Sequence, residues 1–399
     1  MVKKLQPKLR FRGFTDAWEQ RRLGSLFVQA NERNANQELS FGTTISVASM
    51  RFNPRGNGAA HSSLSSYKIL RRGDIAFEGN RHRSHPFGQL VINDIGDGLM
   101  SSRFQSIRPK EPCVISFWKY LLQNERGMRR LLICSTKAGT LMNEFVFGDF
   151  SRLDVQLPER DEQEKIGALF RLLDSIIAAE KRKLLLLEQK REAYSQKVFS
   201  YGSHHGEDAK HWKMMRLGDI ATRITRRNKG RSNFPLTISA RDGLIDQRHF
   251  FSKQVASKNL DNYILLQHGE FAYNKSTSSD SPWGTIKRLD RYDQGCVSTL
   301  YICFSTHSVD SQFITTLFNS PIWHREIQAI ATEGARNHGL LNISPKDFFD
   351  IRLQIPDSLS EQKHIGRFFA AYEQLIRQTA KRIGLLEKKK KAFLQTMFI

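Results

Sequence analysis

Several features that would assign a class quickly are scarce or missing. The 399 residues hold four cysteines, Cys113, Cys134, Cys296 and Cys303, with no C-x-x-C spacing. That number and spacing exclude a disulfide framework and give no four-ligand zinc site. Reduced, mostly buried thiols in a cytoplasmic protein are expected instead. No stretch reaches about 18 uninterrupted apolar residues, so no membrane-spanning helix is expected. The chain opens Met1-Val2-Lys3-Lys4 without an apolar core behind it, so no secretory signal is expected either. Acidic residues are the minority charge, 40 against 62 Lys and Arg, for a net charge of +22. The excess is spread through the chain and favours a polyanionic partner, nucleic acid before an anionic membrane surface.

Catalytic signatures are absent too. There is no Gly-x-x-x-x-Gly-Lys-Ser/Thr phosphate loop, no Gly-x-Gly-x-x-Gly after a strand, and no Asn-Pro-Pro-Tyr or Asp-Pro-Pro-Tyr methyltransferase string. One segment, Pro356-Asp357 followed by Glu361-Gln362-Lys363, mimics the carboxylate–carboxylate–lysine pattern of metal-dependent nucleases. Its carboxylates are too close in sequence to sit on paired strands. It also falls at a helix start, where Ser360 or Asp357 suits the cap and Glu361 the first turn. No catalytic residue, no metal ligand and no cofactor of this chain's own is assigned.

What the chain does contain is a repeat, and a repeat fixes architecture before any local reading. Trp18 with Leu23-Gly24 is answered by Trp212 with Leu217-Gly218, and Gly73-Asp74-Ile75-Ala76-Phe77 by Gly269-Glu270-Phe271-Ala272-Tyr273. Leu157-Pro158, Glu162-Gln163 and Ile166-Gly167 are answered by Ile355-Pro356, Glu361-Gln362 and Ile365-Gly366. Each copy has a front part of short apolar runs punctuated by turn residues, which predicts strands with a few helices. Each ends in a long segment, Asp161 to Ser200 and Ser360 to Ile399, with a 3-4 apolar rhythm.

The expected seam is Ile166, Leu169, Leu173, Ile176, Leu184, Leu187 and Tyr194 in the first segment. In the second it is Ile365, Phe368, Tyr372, Leu375, Ile383, Leu386 and Phe393. Even the polar interruptions coincide, Glu180 with Thr379 and Arg191 with Lys390. Helices this long need a partner for their stripe, and each is the nearest partner of the other. The expected fold is α+β: two similar globular domains alternating with two long helices that pair as an antiparallel coiled coil, a pseudo-twofold internal repeat. The boundaries are 1–158 for the first domain, 159–201 for the first helix, 202–357 for the second domain and 358–399 for the second helix. The polar connection Gly202-Ser203-His204-His205 is read as a linker.

Such a pseudo-twofold arrangement suits paired DNA half-sites. Candidate DNA contacts are polar loops, since Arg forks suit guanine or phosphate and Asn suits adenine. In the first copy they are Arg51, Asn53, Arg55, Asn80, Arg81, His82, Arg83, His85 and Lys137. In the second they are Arg241, Asn274, Lys275, Ser276, Ser279 and Trp283, with Arg336, Asn337 and His338.

The segment from Pro7 to Gly24, the strand after Tyr67, the Leu-Pro/Ile-Pro…Glu-Gln…Ile-Gly helix starts and the Leu-Leu-Glu steps at Leu186 to Glu188 and Leu385 to Glu387 together resemble the specificity subunit of type I restriction–modification systems. Arg12 stands where that family often has proline. The resemblance implies a non-catalytic subunit whose two target recognition domains each read one half of a bipartite double-stranded DNA sequence. The helices would set the spacer and dock two modification subunits that methylate adenine at N6. It also implies restriction subunits. S-adenosylmethionine, ATP and Mg²⁺ belong on those partners, and the assembly is cytoplasmic. The alternative is a stand-alone DNA-binding protein or decoy of the same fold.

Overall fold

A computed structural model describes residues 6–55, 61–83, 85–140, 142–201, 211–239, 242–250, 259–279, 281–331 and 339–398. The linker at 202–208 and the candidates Arg241, Arg336, Asn337 and His338 lie outside them. The chain divides into two compact units, Met1–Arg182 with Ala380–Ile399, and Lys183–Thr379. Each contains a half of both long helices, Arg160–Tyr201 and Leu359–Thr396.

The front parts share one topology. In the first unit an antiparallel sheet runs in the order Phe27–Ala30, Gln105–Pro109, Ile75–Glu78, Gln89–Ile92. In the second the order is Ala221–Ile224, Ile302–Thr306, Phe271–Asn274, Thr285–Arg288. The alternating stretches before the two prolines, Asp154–Leu157 and Arg352–Pro356, pair with Glu19–Arg22 and Trp212–Arg216. The stretches expected to be helical, Phe117 to Leu122, Met128 to Cys134 and Phe313 to Phe318, lie within the helices Ile115–Leu122, Glu125–Ser135 and Ser311–Asn319.

The repeated motifs now have physical reasons. The indole Nε1 of Trp18 donates to Glu162 at 3.2 Å and that of Trp212 to Glu361 at 3.0 Å. Gln163 and Gln362 donate to the carbonyls of Pro158 and Pro356 at 2.9 and 2.8 Å. Tryptophan, proline and Glu-Gln thus tie each helix start to its own strand pair. A Cβ on Gly167 would meet Ser116 Oγ at 2.2 Å, and one on Gly366 would meet the backbone nitrogen of Phe313 at 2.8 Å. Both positions are where a long helix crosses the start of a short one, and only glycine lets the backbones come that close. Ser358 caps the second helix, accepting from Glu361 N at 3.4 Å, because the helix begins at Leu359, one residue before Ser360.

Within each unit the helix halves run antiparallel. In the first, Asp174 pairs with Lys390 at 2.7 Å and Glu180 with Arg382 at 3.2 Å, so one number rises as the other falls. In the second, Arg191 pairs with Glu373 at 3.0 Å, and the ring of Tyr194 lies 5.4 Å from that of Phe368. The matched interruptions Arg191 and Lys390 are therefore matched ion pairs, which fix register between apolar stripes. The far helix ends enter the cores. Phe398 packs in the first with Trp18, Phe117 and Phe170, and Phe199 in the second with Trp212, Phe313 and Phe369.

The buried line falls on Ile166, Phe170, Leu173, Ile177 and Phe199, and on Phe369, Ile383 and Met397. Leu169, Ile176, Leu184, Leu187, Ile365, Tyr372, Leu386 and Phe393 are half-buried beside it. Tyr194, Phe368 and Leu375 are 40%, 43% and 44% exposed. The stripe facing the domains and the stripe facing the other helix are offset by about one residue, so burial is widest where both act.

Candidate nucleic-acid interface

The edge hairpin of each sheet carries the loop of interest. Strand Ile75–Glu78 pairs with Gln89–Ile92, with Glu78 opposite Gln89; Phe271–Asn274 pairs with Thr285–Arg288, with Asn274 opposite Thr285. The loops 79–88 and 275–284 have the same internal bonds. His85 N donates to His82 O at 2.9 Å and Gly88 N to His85 O at 3.1 Å. In the second loop Ser281 N donates to Ser278 O at 3.1 Å and Gly284 N to Ser281 O at 3.2 Å. Both loops close on a glycine of positive φ, +79° at Gly88 and +77° at Gly284. A Cβ there would lie 2.6 Å from the Glu78 carbonyl oxygen, or 2.4 Å from that of Asn274. One backbone is thus used twice with different side chains.

Each loop is also fastened to a second loop. In the first unit Asn143 N donates to Gly79 O at 2.8 Å, and Asn143 Nδ2 to Pro86 O at 2.9 Å. Arg81 Nη2 donates to Gly139 O at 2.7 Å. In the second, Leu341 N donates to Lys275 O at 3.0 Å, and Thr277 donates to Gly339 O through both N (2.6 Å) and Oγ1 (3.1 Å).

The candidates of the first unit sort by environment. Arg51, on strand Arg51–Phe52, and Arg55 in the following turn are exposed. Asn53 is half-buried, its backbone nitrogen bonded to Thr44 O at 2.6 Å. Asn80 is exposed, with its backbone nitrogen on Glu78 at 2.9 Å; His82 and Arg83 are exposed and His85 is half-buried. Lys137 is exposed on strand Thr136–Ala138, opposite Glu144.

A hollow of about 850 Å³ brings Arg51, Arg83 and His85 together with Gln89, Gln123 and Arg129 over an apolar floor that includes Phe87, Met128 and Leu132. Arg55 and Lys137 do not line it. Arg129 was not among the sequence candidates. Its signal was there: Arg126, Arg129 and Arg130 share the exposed face of helix Glu125–Ser135 while Met128 and Leu132 are buried, the spacing of one helical face.

In the second unit the candidates are less cationic. Lys275 is half-buried, its Nζ donates to Ile343 O at 3.2 Å, and burial lowers its pKa. Asn274 accepts from Ser276 N at 3.0 Å. Trp283 is half-buried and packs against the core, its carbonyl accepting from Tyr273 Oη at 2.9 Å. Ser276 and Ser279 are exposed.

Other basic residues are neutralised within the fold. Arg71 is paired with Glu32, Glu38 and Asp97, and Arg108 with Asp74 and Glu32. The nuclease-like string is occupied too, Glu361 by Trp212 and Asp357 by Lys213 at 3.1 Å. Among the described residues no group of His, Cys, Asp and Glu is placed to hold a metal. No helix there is long and apolar enough to cross a membrane. Two of the cysteines are buried, and Cys134 is exposed.

This arrangement is that of a known class of fold. The chain is similar to the S subunit of a type I restriction–modification system from M. genitalium, with 15% identity over 99% of both chains and a TM-score of 0.61. It also matches the HsdS subunit from Thermoanaerobacter tengcongensis, with 16% identity over 96% of both chains and a TM-score of 0.48. Residues 15–189 match the family model described as type I restriction modification DNA specificity domain. The likeness to type I specificity subunits read from the doubled motifs thus holds in the sequence over residues 15–189 and in the fold over the chain. No curated protein matches the sequence.

Proposed function

We propose that this chain is the DNA sequence-specificity subunit of a type I restriction–modification complex, with each front domain reading one half of a bipartite target. The observation that carries this is the pair of loops, 79–88 and 275–284, built with one backbone on equivalent sheet edges and furnished with different side chains. A shared frame with divergent tips is what two readers of different half-sites require. In the first unit, the arginines around the hollow suit guanine O6 and N7 or phosphate, and the apolar floor suits a thymine methyl. The surplus of positive charge supplies the sequence-independent part of binding.

The helix pair sets the spacer and docks two modification subunits, which methylate adenine at N6 with S-adenosylmethionine. Restriction subunits supply ATP- and Mg²⁺-dependent translocation and cleavage. The chemistry rests with these partners, and the complex works in the cytoplasm. The ion pairs and packed rings that hold the helices in register support a ruler role.

The test is a methylome. The chain is expressed with a compatible modification subunit in a methylation-free host, and N6-methyladenine is mapped genome-wide. A split motif with two short specified halves and a fixed gap is expected. An assembled complex that adds no motif overturns the reading in favour of a stand-alone binder or decoy.

A further inference from the structure

We propose that Arg81 is a positioning residue of the first recognition loop and not a DNA contact, and that Arg83, two residues on, is the side chain this loop presents to the DNA. The second half of this proposal rests on the function proposed above; the first half does not.

The guanidinium of Arg81 reaches across to the neighbouring loop, with Nη2 donating to Gly139 O at 2.7 Å and Nε to Asn143 Oδ1 at 3.4 Å. Asn143 passes the restraint on. Its side chain donates to Pro86 O at 2.9 Å and its backbone nitrogen to Gly79 O at 2.8 Å, so both limbs of the recognition loop are held by one residue. With Nη2 and Nε committed in this way, the side-on edge of the guanidinium is taken up within the protein, and only the Nη1 hydrogens and the second Nη2 hydrogen are left over.

The second unit supplies an independent observation. Thr277 holds the place of Arg81 in the equivalent loop, and it too bonds the facing loop, at Gly339 O, through N and Oγ1. A neutral threonine making the same tie shows that the position serves loop closure, whatever charge it carries. Arg83 is different. Both arginines are exposed, but Arg83 lines the hollow with Arg51 and Arg129, which Arg81 does not, and it has no hydrogen bond or ion pair among the described residues. Its counterpart in the second loop is Ser279, also exposed.

The test uses the full chain and its Arg81→Ala, Arg81→Thr and Arg83→Ala variants, with two readouts. The first is amide hydrogen exchange at His85, Gly88 and Asn143, which reports loop closure without DNA. Arg81→Ala is expected to speed exchange there by about tenfold, while Arg81→Thr stays within about threefold of wild type. The second is selection from a random-sequence duplex library, followed by binding of the selected duplex at several salt concentrations. Arg81→Thr is expected to select the wild-type sequence with an unchanged salt slope. Arg83→Ala is expected either to lose about tenfold of preference at one base pair, or to reduce the slope by about one.

Unchanged exchange in Arg81→Ala overturns the positioning role. A slope lowered by one in Arg81→Thr, with exchange preserved, shows that Arg81 meets phosphate and overturns it as well. A wild-type chain that selects no sequence, both alone and assembled with a compatible modification subunit, sinks the proposed function and the role of Arg83 with it, while the exchange data still decide Arg81.

Discussion

The loops 79–88 and 275–284 share strand register, internal hydrogen bonds and a closing glycine of positive φ, yet one carries Arg81, His82, Arg83 and His85 and the other Thr277, Ser278, Ser279 and Ser281. The comparison separates two kinds of residue. Those that repeat, such as Gly88 with Gly284 and Phe77 with Tyr273, hold the frame. Those that differ sit at the tip, on a backbone whose turn is closed by the same internal hydrogen bonds in both units. Fastening to the neighbouring loop is shared in position but not in residue type, by Arg81 in one unit and Thr277 in the other.

The units differ likewise beneath the loops. Asp74 and Glu270 each cap the turn before the central strand, accepting from Arg71 N at 3.0 Å and Gln267 N at 2.6 Å. In the first unit this turn is embedded in a network of Arg71, Arg108, Glu32, Glu38 and Asp97; in the second, Glu270 pairs with Arg226 at 2.7 Å. The first unit therefore spends several arginines on its own structure, which is why its basic composition overstates the number free for a ligand.

The sharpest way to break the comparison is at the helix ends. Phe398 is 4% exposed in the first core and Phe199 is 2% exposed in the second. Truncating either to alanine is expected to cost about 3–5 kcal/mol. Thermal unfolding with exchange mapping should show Phe398→Ala loosening the first core and Phe199→Ala the second; an effect confined to the helices alone would contradict the packing. Next in size is Arg83→Ser, which gives the first loop its counterpart's residue. If Arg83 reads a base, this should cost about 1–3 kcal/mol at a single base pair of the proposed first half-site and leave the second untouched, as read by methylome mapping of the variant; if it meets phosphate, both halves keep their sequence and the salt slope falls by about one. A change in both halves would mean that the units do not read independently.

The smallest expected effect is a difference in acid stability. The pKa of Glu32 is lowered, foremost by its hydrogen bond from Arg71 and also by Arg108. A carboxylate held below its ordinary value contributes stability that is present above the unfolded pKa, near 4.5, and is lost as pH falls through the folded one. Glu32→Gln should flatten the acid limb of the first unit's stability curve between about pH 5 and pH 3. An acid limb with the same slope as wild type would show the network to be energetically idle.

Much of this was legible in the sequence because repetition is a strong signal. The doubled Trp, Leu-Gly, Glu-Gln and Ile-Gly steps gave the architecture, and the 3-4 rhythm gave the two helices. The buried stripe was harder to place: Phe170, Ile177, Phe199 and Phe369 lie deeper than Phe368, Leu375 and Tyr194. A helix that serves a domain on one side and a helix on the other is apolar over a wide arc, and periodicity alone does not choose the deepest line within it. The site was less legible still. Arg81 and Arg83 are the same residue two positions apart, and no pattern says which is bonded to the neighbouring loop.

By itself, then, the sequence determined that there are two like modules, two long amphipathic helices and a strongly basic character, since these follow from periodicity, composition and self-similarity along the chain. Only the tertiary structure decided which cations are spent on carboxylates or carbonyls and which remain for a ligand. That division depends on contacts between residues far apart in sequence, as from Arg81 to Gly139 or from Arg108 to Glu32, and such contacts leave no periodic trace.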